Sequence, residues 1–250
     1  SLNAQTTVTF GSVVESRRLG KLERFDGFES NGQILSAESA STFRRDPVRL
    51  IRVFRHLQSR SLEPDFDLER LIEENLDLIG KPVIESEEAN RAFRAILQSK
   101  GEVFPVLQLM NSTGVLPRFM PEWEGLHCLV QHEFYHRYTA DMHVLNTIRE
   151  LDRVVSGEEP EMTRKYRQAL EETELPGLMY LILLLHDIGK AQGIQNHSEA
   201  GAVIAEPILK RIGVVSKARD KILFLIRNHL EMARIWQKFD IDDPKTSQKF

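Results

Sequence analysis

The spacing of apolar residues in the first half of the chain predicts four amphipathic helices. Apolar positions recur every three or four residues, the period that places them on one helix face. The segments with this period are 47–60, 67–79, 87–98 and 103–110. Asp46-Pro47 supplies a cap and a first-turn proline for the first helix, within which His56 is expected to face solvent. Gly114 suits the C-terminal cap of the fourth helix.

Residues 24–36 depart from this period and predict a small β-hairpin. Two short apolar stretches flank Asn31-Gly32. This pair of residues tolerates positive φ at both central positions of a hairpin turn. We expect no other sheet of note.

The second half also has a helical pattern. Its predicted helices cover 139–155, 177–190, 198–212 and 216–238, and the charged stretch 156–175 has room for a short surface helix. Before them, Leu116-Pro117 and Met120-Pro121 interrupt helical structure. The sequence thus predicts an all-α fold with one possible β-hairpin, divided into domains 1–118 and 119–250.

Composition excludes several classes of protein. The 250 residues are 41% hydrophobic and 28% charged, as expected for a soluble protein with a sizeable core. A net charge of −4 argues against a general binder of nucleic acid or of anionic membranes. The chain has a single cysteine, Cys128, no apolar run of about 20 residues and no signal-peptide pattern at its start, which together favour the cytoplasm.

Candidate chemistry is concentrated in LLLHDIGK, residues 183–190. His186 and Asp187 end an apolar helix, where an unpaired buried carboxylate is costly. A metal ion removes that cost, since Asp187 offers a hard oxygen and His186 an imidazole nitrogen. Lys190, one turn later, can meet a phosphate as a point charge. An ordinary structural role for the pair is the alternative.

Three more histidines flank this pair in the sequence. His143 lies in the helix predicted over 139–155, and His229 lies within the last predicted helix. His197 lies just before a helix in which Gly201 allows close approach. Each histidine alone is more often a structural or surface side chain. Together they favour one shared metal site.

These motifs resemble those of the HD superfamily of metal-dependent phosphohydrolases, in LLHDIGK and the following HSE-x-GA. A wider set of segments resembles, in the same order, the bifunctional uridylyltransferase/uridylyl-removing enzymes that act on the nitrogen-signalling protein PII. These segments include FRRDPVRLIRVFRHLQ, LMNSTGVLPRFMPEW, YHRYTADMHVL, RNHLEMA and DIDDP. The resemblance implies a helical HD-type domain at 119–250. Before it, the resemblance implies a helical linking domain at 1–118 that follows a nucleotidyltransferase head in the family.

The resemblance also implies roles for individual residues. Metal ligands would be His143, His186 and Asp187, with His197 and His229 for a second ion. Asp187 and Lys190 would be catalytic, the lysine at the scissile phosphate, and the substrate pocket would include His136, Tyr138 and Asp141. The alternative for Asp141 is a charge that complements the helix dipole. The cofactor would be one or two divalent ions of manganese, iron, zinc, cobalt or magnesium.

The sequence departs from the family at several points. Asn228-His229 stands where members often have two adjacent histidines, which weakens the second metal site. The aspartate that usually closes the metal shell has no counterpart on a late helix before Phe250, although Asp240 or Asp242 can substitute. We therefore expect an HD domain truncated at its C-terminus. No segment matches the nucleotidyltransferase head or the glutamine-sensing ACT domains, so uridylyl transfer is not supported.

The resemblance implies metal-dependent hydrolysis of a phosphodiester, with UMP removed from uridylylated PII. Two alternatives stay open: an HD-type nucleotidase or cyclic nucleotide phosphodiesterase, and a non-catalytic regulatory HD module with an incomplete metal site. A third, the RNA-binding body of a tRNA nucleotidyltransferase, rests on the similarity of residues 45–52 to a helical neck in those enzymes. The acidic net charge disfavours an RNA-binding function.

Overall fold

The protein is mostly α-helical with one small sheet. A computed structural model describes residues 22–126, 129, 139–158, 160–173, 178–192 and 196–238. Within them the strands are β1 Glu23–Phe25, β2 Phe28–Ser30, β3 Ile34–Ala37 and β4 Glu63–Pro64. The helices of the first half are α1 Thr42–Arg45, α2 Arg49–Arg60, α3 Phe66–Glu73, α4 Lys81–Ile84, α5 Glu87–Gln98, α6 Val103–Ser112 and α7 Val115–Phe119. Those of the second half are α8 Ala140–Ser156, α9 Pro160–Glu172, α10 Met179–Leu185, α11 His197–Arg211, α12 Ser216–Asn228 and α13 Glu231–Lys238.

The predicted hairpin is confirmed. Strands β2 and β3 pair antiparallel, and Oδ1 of Asn31 accepts the backbone N–H of Ile34 at 2.8 Å. The backbone N–H of Asn31 donates to the carbonyl oxygen of Ile34, so the central residues of the turn are Gly32 and Gln33 rather than the expected Asn31 and Gly32, and of Asn31 and Gly32 only Gly32 has positive φ. A second turn, Asp26-Gly27, joins β1 to β2, and both of its residues have positive φ, 52° and 79°. Strand β4 adds to β3 in parallel, which completes a four-stranded sheet in the order β1-β2-β3-β4.

The expectation that His56 faces solvent is wrong. Its Nε2 lies 2.8 Å from Oδ2 of Asp26, at the turn between β1 and β2. The same carboxylate accepts hydrogen bonds from Nε of Arg49 at 3.1 Å and from Nε of Arg52 at 2.8 Å. Burial alone would raise the pKa of Asp26, but the bonds from Arg52, His56 and Arg49 outweigh it and lower the pKa. Asp26 thus ties the hairpin to one face of α2.

The two halves of the chain share one hydrophobic cluster. Its buried side chains run in sequence from Phe28 to Ile226. Polar contacts also join the halves: Nη1 of Arg94 donates to the carbonyl oxygen of Ile212 at 2.6 Å. The division at residue 118 stays a prediction. No helix among the described residues is both long enough and apolar enough to cross a membrane.

Two helices predicted as continuous are each split at a histidine. Helix α10 ends at Leu185, before a 3-10 helix over Ile188–Gln192, and α12 ends at Asn228, before α13. The residue directly after each helix is a histidine, and its Nδ1 lies 2.7 Å from a carbonyl oxygen in the last turn of that helix. The oxygen belongs to Leu183 in the case of His186 and to Ile226 in the case of His229. A last-turn carbonyl that takes a side-chain donor helps to end a helix.

Candidate metal centre

Four helix ends converge on one carboxylate. His143 lies in the first turn of α8 and His197 is the first residue of α11. His186 and His229 are the C-terminal caps of α10 and α12. Asp187 follows His186 directly and lies at the centre of the group. Residues that are 86 positions apart in sequence, 143 and 229, thus share one site.

Each carboxylate oxygen of Asp187 faces its own pair of histidines. Oδ2 lies 3.6 Å from Nε2 of His143 and 3.4 Å from Nε2 of His186. Oδ1 lies 3.4 Å from Nε2 of His197 and 3.6 Å from Nε2 of His229. The result is two groups of three possible ligands with Asp187 in both, and within each group the ligand atoms lie within 4.8 Å of one another. The structure brings together all five residues that the sequence predicts as metal ligands, whose ligand role stays a prediction.

The imidazoles are oriented for ligation. In His186 and His229 the Nδ1 atom faces a backbone carbonyl, so that Nε2 is directed at the carboxylate. A carbonyl on one ring nitrogen holds the proton there and leaves the other nitrogen available to a metal ion. Among the described residues, the buried Nε2 of His229 makes no hydrogen bond. A buried nitrogen in that position is the expected signature of a missing ligand partner.

Electrostatics keep the carboxylate ionised. Burial alone would raise the pKa of Asp187, but His229, His186 and Lys190 together lower it well below its usual range. Burial lowers the pKa of His186, which favours its neutral, ligating form. For His229, burial would lower the pKa, but the nearby Asp187 carboxylate, whose Oδ1 lies 3.6 Å from Nε2, outweighs it and raises the pKa. Four imidazole rings and one carboxylate offer a mixed nitrogen and oxygen donor set that fits a divalent transition ion.

Lys190 lies beside the centre, as its position in the motif suggests. Its Nζ is 2.8 Å from Oδ2 of Asp187, the oxygen that also faces His143 and His186. Its side chain is largely buried. An ammonium group at this oxygen offsets negative charge next to the candidate metal positions. Its contact with a phosphate stays a prediction.

Two glycines let the 3-10 helix and α11 touch. A Cβ atom placed on Gly189 would lie 2.0 Å from the carbonyl oxygen of His197 and 2.5 Å from the nitrogen of Gly201. The backbones therefore meet at a distance that excludes any side chain, which confirms the close approach expected at Gly201. Sequence reasoning missed Gly189, although it lies inside the LLLHDIGK motif. This contact positions His197 against Asp187.

Asp141, predicted to contact substrate, is buried in the first turn of α8. Its Oδ2 accepts a hydrogen bond from Nδ2 of Asn111 at 3.1 Å, and Oδ1 of Asn111 accepts one from Nε1 of Trp123 at 3.0 Å. This polar chain fixes the start of the helix that carries His143, and sequence reasoning missed both of its other members. A contact between Asp141 and substrate stays a prediction. His136, Tyr138, Asp240 and Asp242 lie outside the described residues.

Comparison with known proteins assigns both halves. Residues 28–119 match the family model for the uridylyltransferase GlnD third domain, and residues 143–243 match the model for the HD domain. The bifunctional uridylyltransferase/uridylyl-removing enzyme of Azospirillum brasilense is 30% identical over 239 residues. That alignment covers 96% of this chain but only 26% of the relative.

Among solved structures, a tRNA-processing enzyme in its apo form I matches with a TM-score of 0.50 and 15% identity. The match covers 83% of this chain and 45% of that one, and at this identity it shows the fold alone. The chain thus matches the GlnD third domain in its first half and the HD domain in its second, and over nearly all of its length it resembles bifunctional uridylyltransferase/uridylyl-removing enzymes.

Proposed function

We propose that the chain is a metal-dependent phosphohydrolase that cleaves a phosphodiester and releases UMP from a uridylylated PII-type protein. The observation that carries the proposal is the position of Asp187, whose two oxygens each face two histidines. The match to the HD domain supports the reaction class. The relative from Azospirillum brasilense supports the substrate, since its name includes uridylyl removal.

The donor set indicates how cations would be held. His143, His186 and Asp187 would hold one ion, and Asp187, His197 and His229 a second. When bound, such ions lower the pKa of water and neutralise charge on phosphate oxygens. Mixed nitrogen and oxygen ligands suit manganese, iron, zinc or cobalt better than magnesium, which prefers oxygen.

The chain's own residues supply charge and exclude water. Asp187 contributes the negative charge that would retain cations, and its side chain is only 4% exposed beside His186 and His197, which are 13% and 10% exposed. Lys190 places an ammonium group where a non-bridging phosphate oxygen would carry negative charge. His143 is the most exposed of the five candidate ligands, so the phosphoryl group would enter beside it.

The test is release of UMP from uridylylated PII by the manganese-loaded chain. We expect His186→Ala and Asp187→Ala to abolish release, because each removes a candidate ligand. Asp220→Ala, an exposed aspartate on α12, is the matched control and should keep full activity. Release by Asp187→Ala at the parental rate would refute the proposal. Free cyclic and linear nucleotides assayed in parallel separate PII from a small-molecule substrate.

A further inference from the structure

A cavity of about 500 Å³ lies between α8, α9 and α10. Its lining includes Thr147, Leu151, Val154, Tyr166, Met179 and Leu183. This volume falls within the range of about 300 to 1,000 Å³ that is typical of small-molecule sites. None of the roles assigned above uses it.

The cavity begins one helical turn from the candidate metal centre. Helices α8 and α10 run antiparallel, because His143 near the start of α8 faces Asp187, whereas Asp152 further along α8 contacts Tyr180 of α10. Thr147 follows His143 by one turn on the same face of α8. Leu183 precedes His186 by one turn on α10, and its carbonyl oxygen lies 2.7 Å from Nδ1 of that histidine.

The cavity lies on the same face of α8 as His143, the most exposed side chain of the candidate metal centre. The side chain of His143 is 36% exposed, whereas those of His186 and His229 are 13% and 15% exposed. A phosphoryl group that reached the ions past His143 would therefore have Thr147, and then the cavity, directly beside it. The group attached to that phosphoryl would extend along the antiparallel helix pair.

Several polar groups of the lining already have partners within the protein. The hydroxyl of Thr147 donates to the carbonyl oxygen of Val144 at 2.7 Å, within α8. Arg153 and Glu150 form an ion pair at 2.9 Å. The remaining surface is largely apolar, and the ring of Tyr166, 62% exposed, lies at its edge. Such a surface favours a flat apolar ring, which an aromatic side chain at the edge can stack against.

We propose that this cavity binds an aromatic ring attached to the phosphoryl group held at the metal centre. The inference rests on the proposed function and names the part of the substrate that the chain recognises besides phosphate. The ring has two possible sources, the base of a nucleoside monophosphate or the side chain of a phosphorylated tyrosine. Both combine an aromatic ring with a phosphoryl group.

Binding of ligands by the full chain in Mn²⁺ tests this, with UMP, O-phosphotyrosine and inorganic phosphate as probes in calorimetry. The parent should bind at least one aromatic probe about tenfold more tightly than phosphate. Ala169→Trp, which places a ring in the cavity from α9, should reduce that preference about tenfold and leave phosphate and Mn²⁺ binding unchanged. Gln168→Trp, an exposed neighbour that does not line the cavity, should bind all probes as the parent does.

Each outcome decides the inference. Loss of UMP binding alone identifies the base as the occupant, and loss of phosphotyrosine binding alone identifies the tyrosine ring. Equal affinity of the parent for phosphate and for both aromatic probes overturns the inference, as does an equal effect of the two tryptophan variants.

Circular dichroism checks folding, and Tyr166→Ala provides a second variant that removes the ring at the edge and should weaken aromatic binding. If the cavity binds UMP but uridylylated PII is not cleaved, the proposed function fails and this inference stands.

Discussion

The hydroxyl group of Tyr180 donates a hydrogen bond of 2.6 Å to Oδ1 of Asp152, inside the core. The same hydroxyl oxygen accepts the backbone N–H of Gly101 at 2.8 Å, and Oδ2 of Asp152 accepts that of Phe104 at 2.7 Å. One buried pair therefore joins α8 to α10 and joins both to the start of α6. Since α8 carries His143 and α10 leads into Asp187, this pair fixes the far ends of two helices that build the candidate centre.

Tyr180→Phe should lower the free energy of unfolding by about 1–3 kcal/mol, because it removes the hydroxyl that donates to Oδ1 of Asp152 and accepts the N–H of Gly101. Urea unfolding followed by circular dichroism measures the change. Tyr166→Phe is the matched control, since its ring is exposed, and it should be neutral. Equal stability of Tyr180→Phe and the parent would show that the hydroxyl contributes nothing to the junction.

Gly189→Ala should destabilise the protein and displace α11. The added Cβ would lie 2.0 Å from the carbonyl oxygen of His197, so the backbone must move. Overpacking of this kind costs about 1–3 kcal/mol, and it should also weaken Mn²⁺ binding, because His197 moves with the helix. Thermal unfolding and Mn²⁺ titration measure the two effects.

Gly80→Ala provides the comparison for Gly189→Ala. The nearest atom to a Cβ at Gly80 is Cδ of Pro82 at 3.7 Å, an ordinary contact distance, so this variant should leave stability and metal binding nearly unchanged. If the two alanine variants behaved alike, the close approach of the 3-10 helix to α11 would have no energetic consequence.

The sequence predicts the helices well because their signal is local. Helix α5 has the predicted bounds, and α8 and α11 each begin and end within a residue of theirs. The turn between β2 and β3 is equally local, since it involves only residues 31–34, although its central residues are Gly32 and Gln33 rather than Asn31 and Gly32. The convergence of five candidate ligands was also anticipated, from the family resemblance and from the joint pattern of histidines rather than from any one segment.

Contacts between distant segments could not be predicted in the same way. The hydrogen bond from His56 to Asp26 spans 30 residues, and nothing in the local pattern around His56 indicates it. The same holds for Asn111 and Asp141, which are also 30 residues apart. The close packing of Gly189 against α11 is likewise a contact between separate elements that apolar periodicity does not encode.

Asp26 should make the stability of the protein depend on pH in the acid range. Its pKa is lowered in the folded state from the ordinary 3.8, so it stabilises the fold above that pH and the contribution is lost as the pH falls toward the folded pKa. Asp26→Asn should therefore be less stable than the parent near neutral pH, and the difference should shrink below pH about 4. Urea unfolding across this range measures it. A difference that did not vary with pH would contradict the assignment of the shift to this carboxyl.

The two groups around Asp187 should bind ions separately. His229→Ala removes a ligand on the Oδ1 side only, so the metal content should fall from about two ions per chain to about one. His143→Ala removes a ligand on the Oδ2 side and should also leave about one ion, whereas Asp187→Ala removes the shared ligand and should leave none.

Metal analysis after saturation with Mn²⁺ and desalting measures the content of each variant. His56→Ala serves as the control, because this histidine contacts Asp26 and lies outside the centre. A double variant of His143 and His229 should match Asp187→Ala, since each group then lacks a ligand. If His229→Ala retained the full metal content of the parent, the second group would not bind an ion, and the site would hold a single cation between His143, His186 and Asp187.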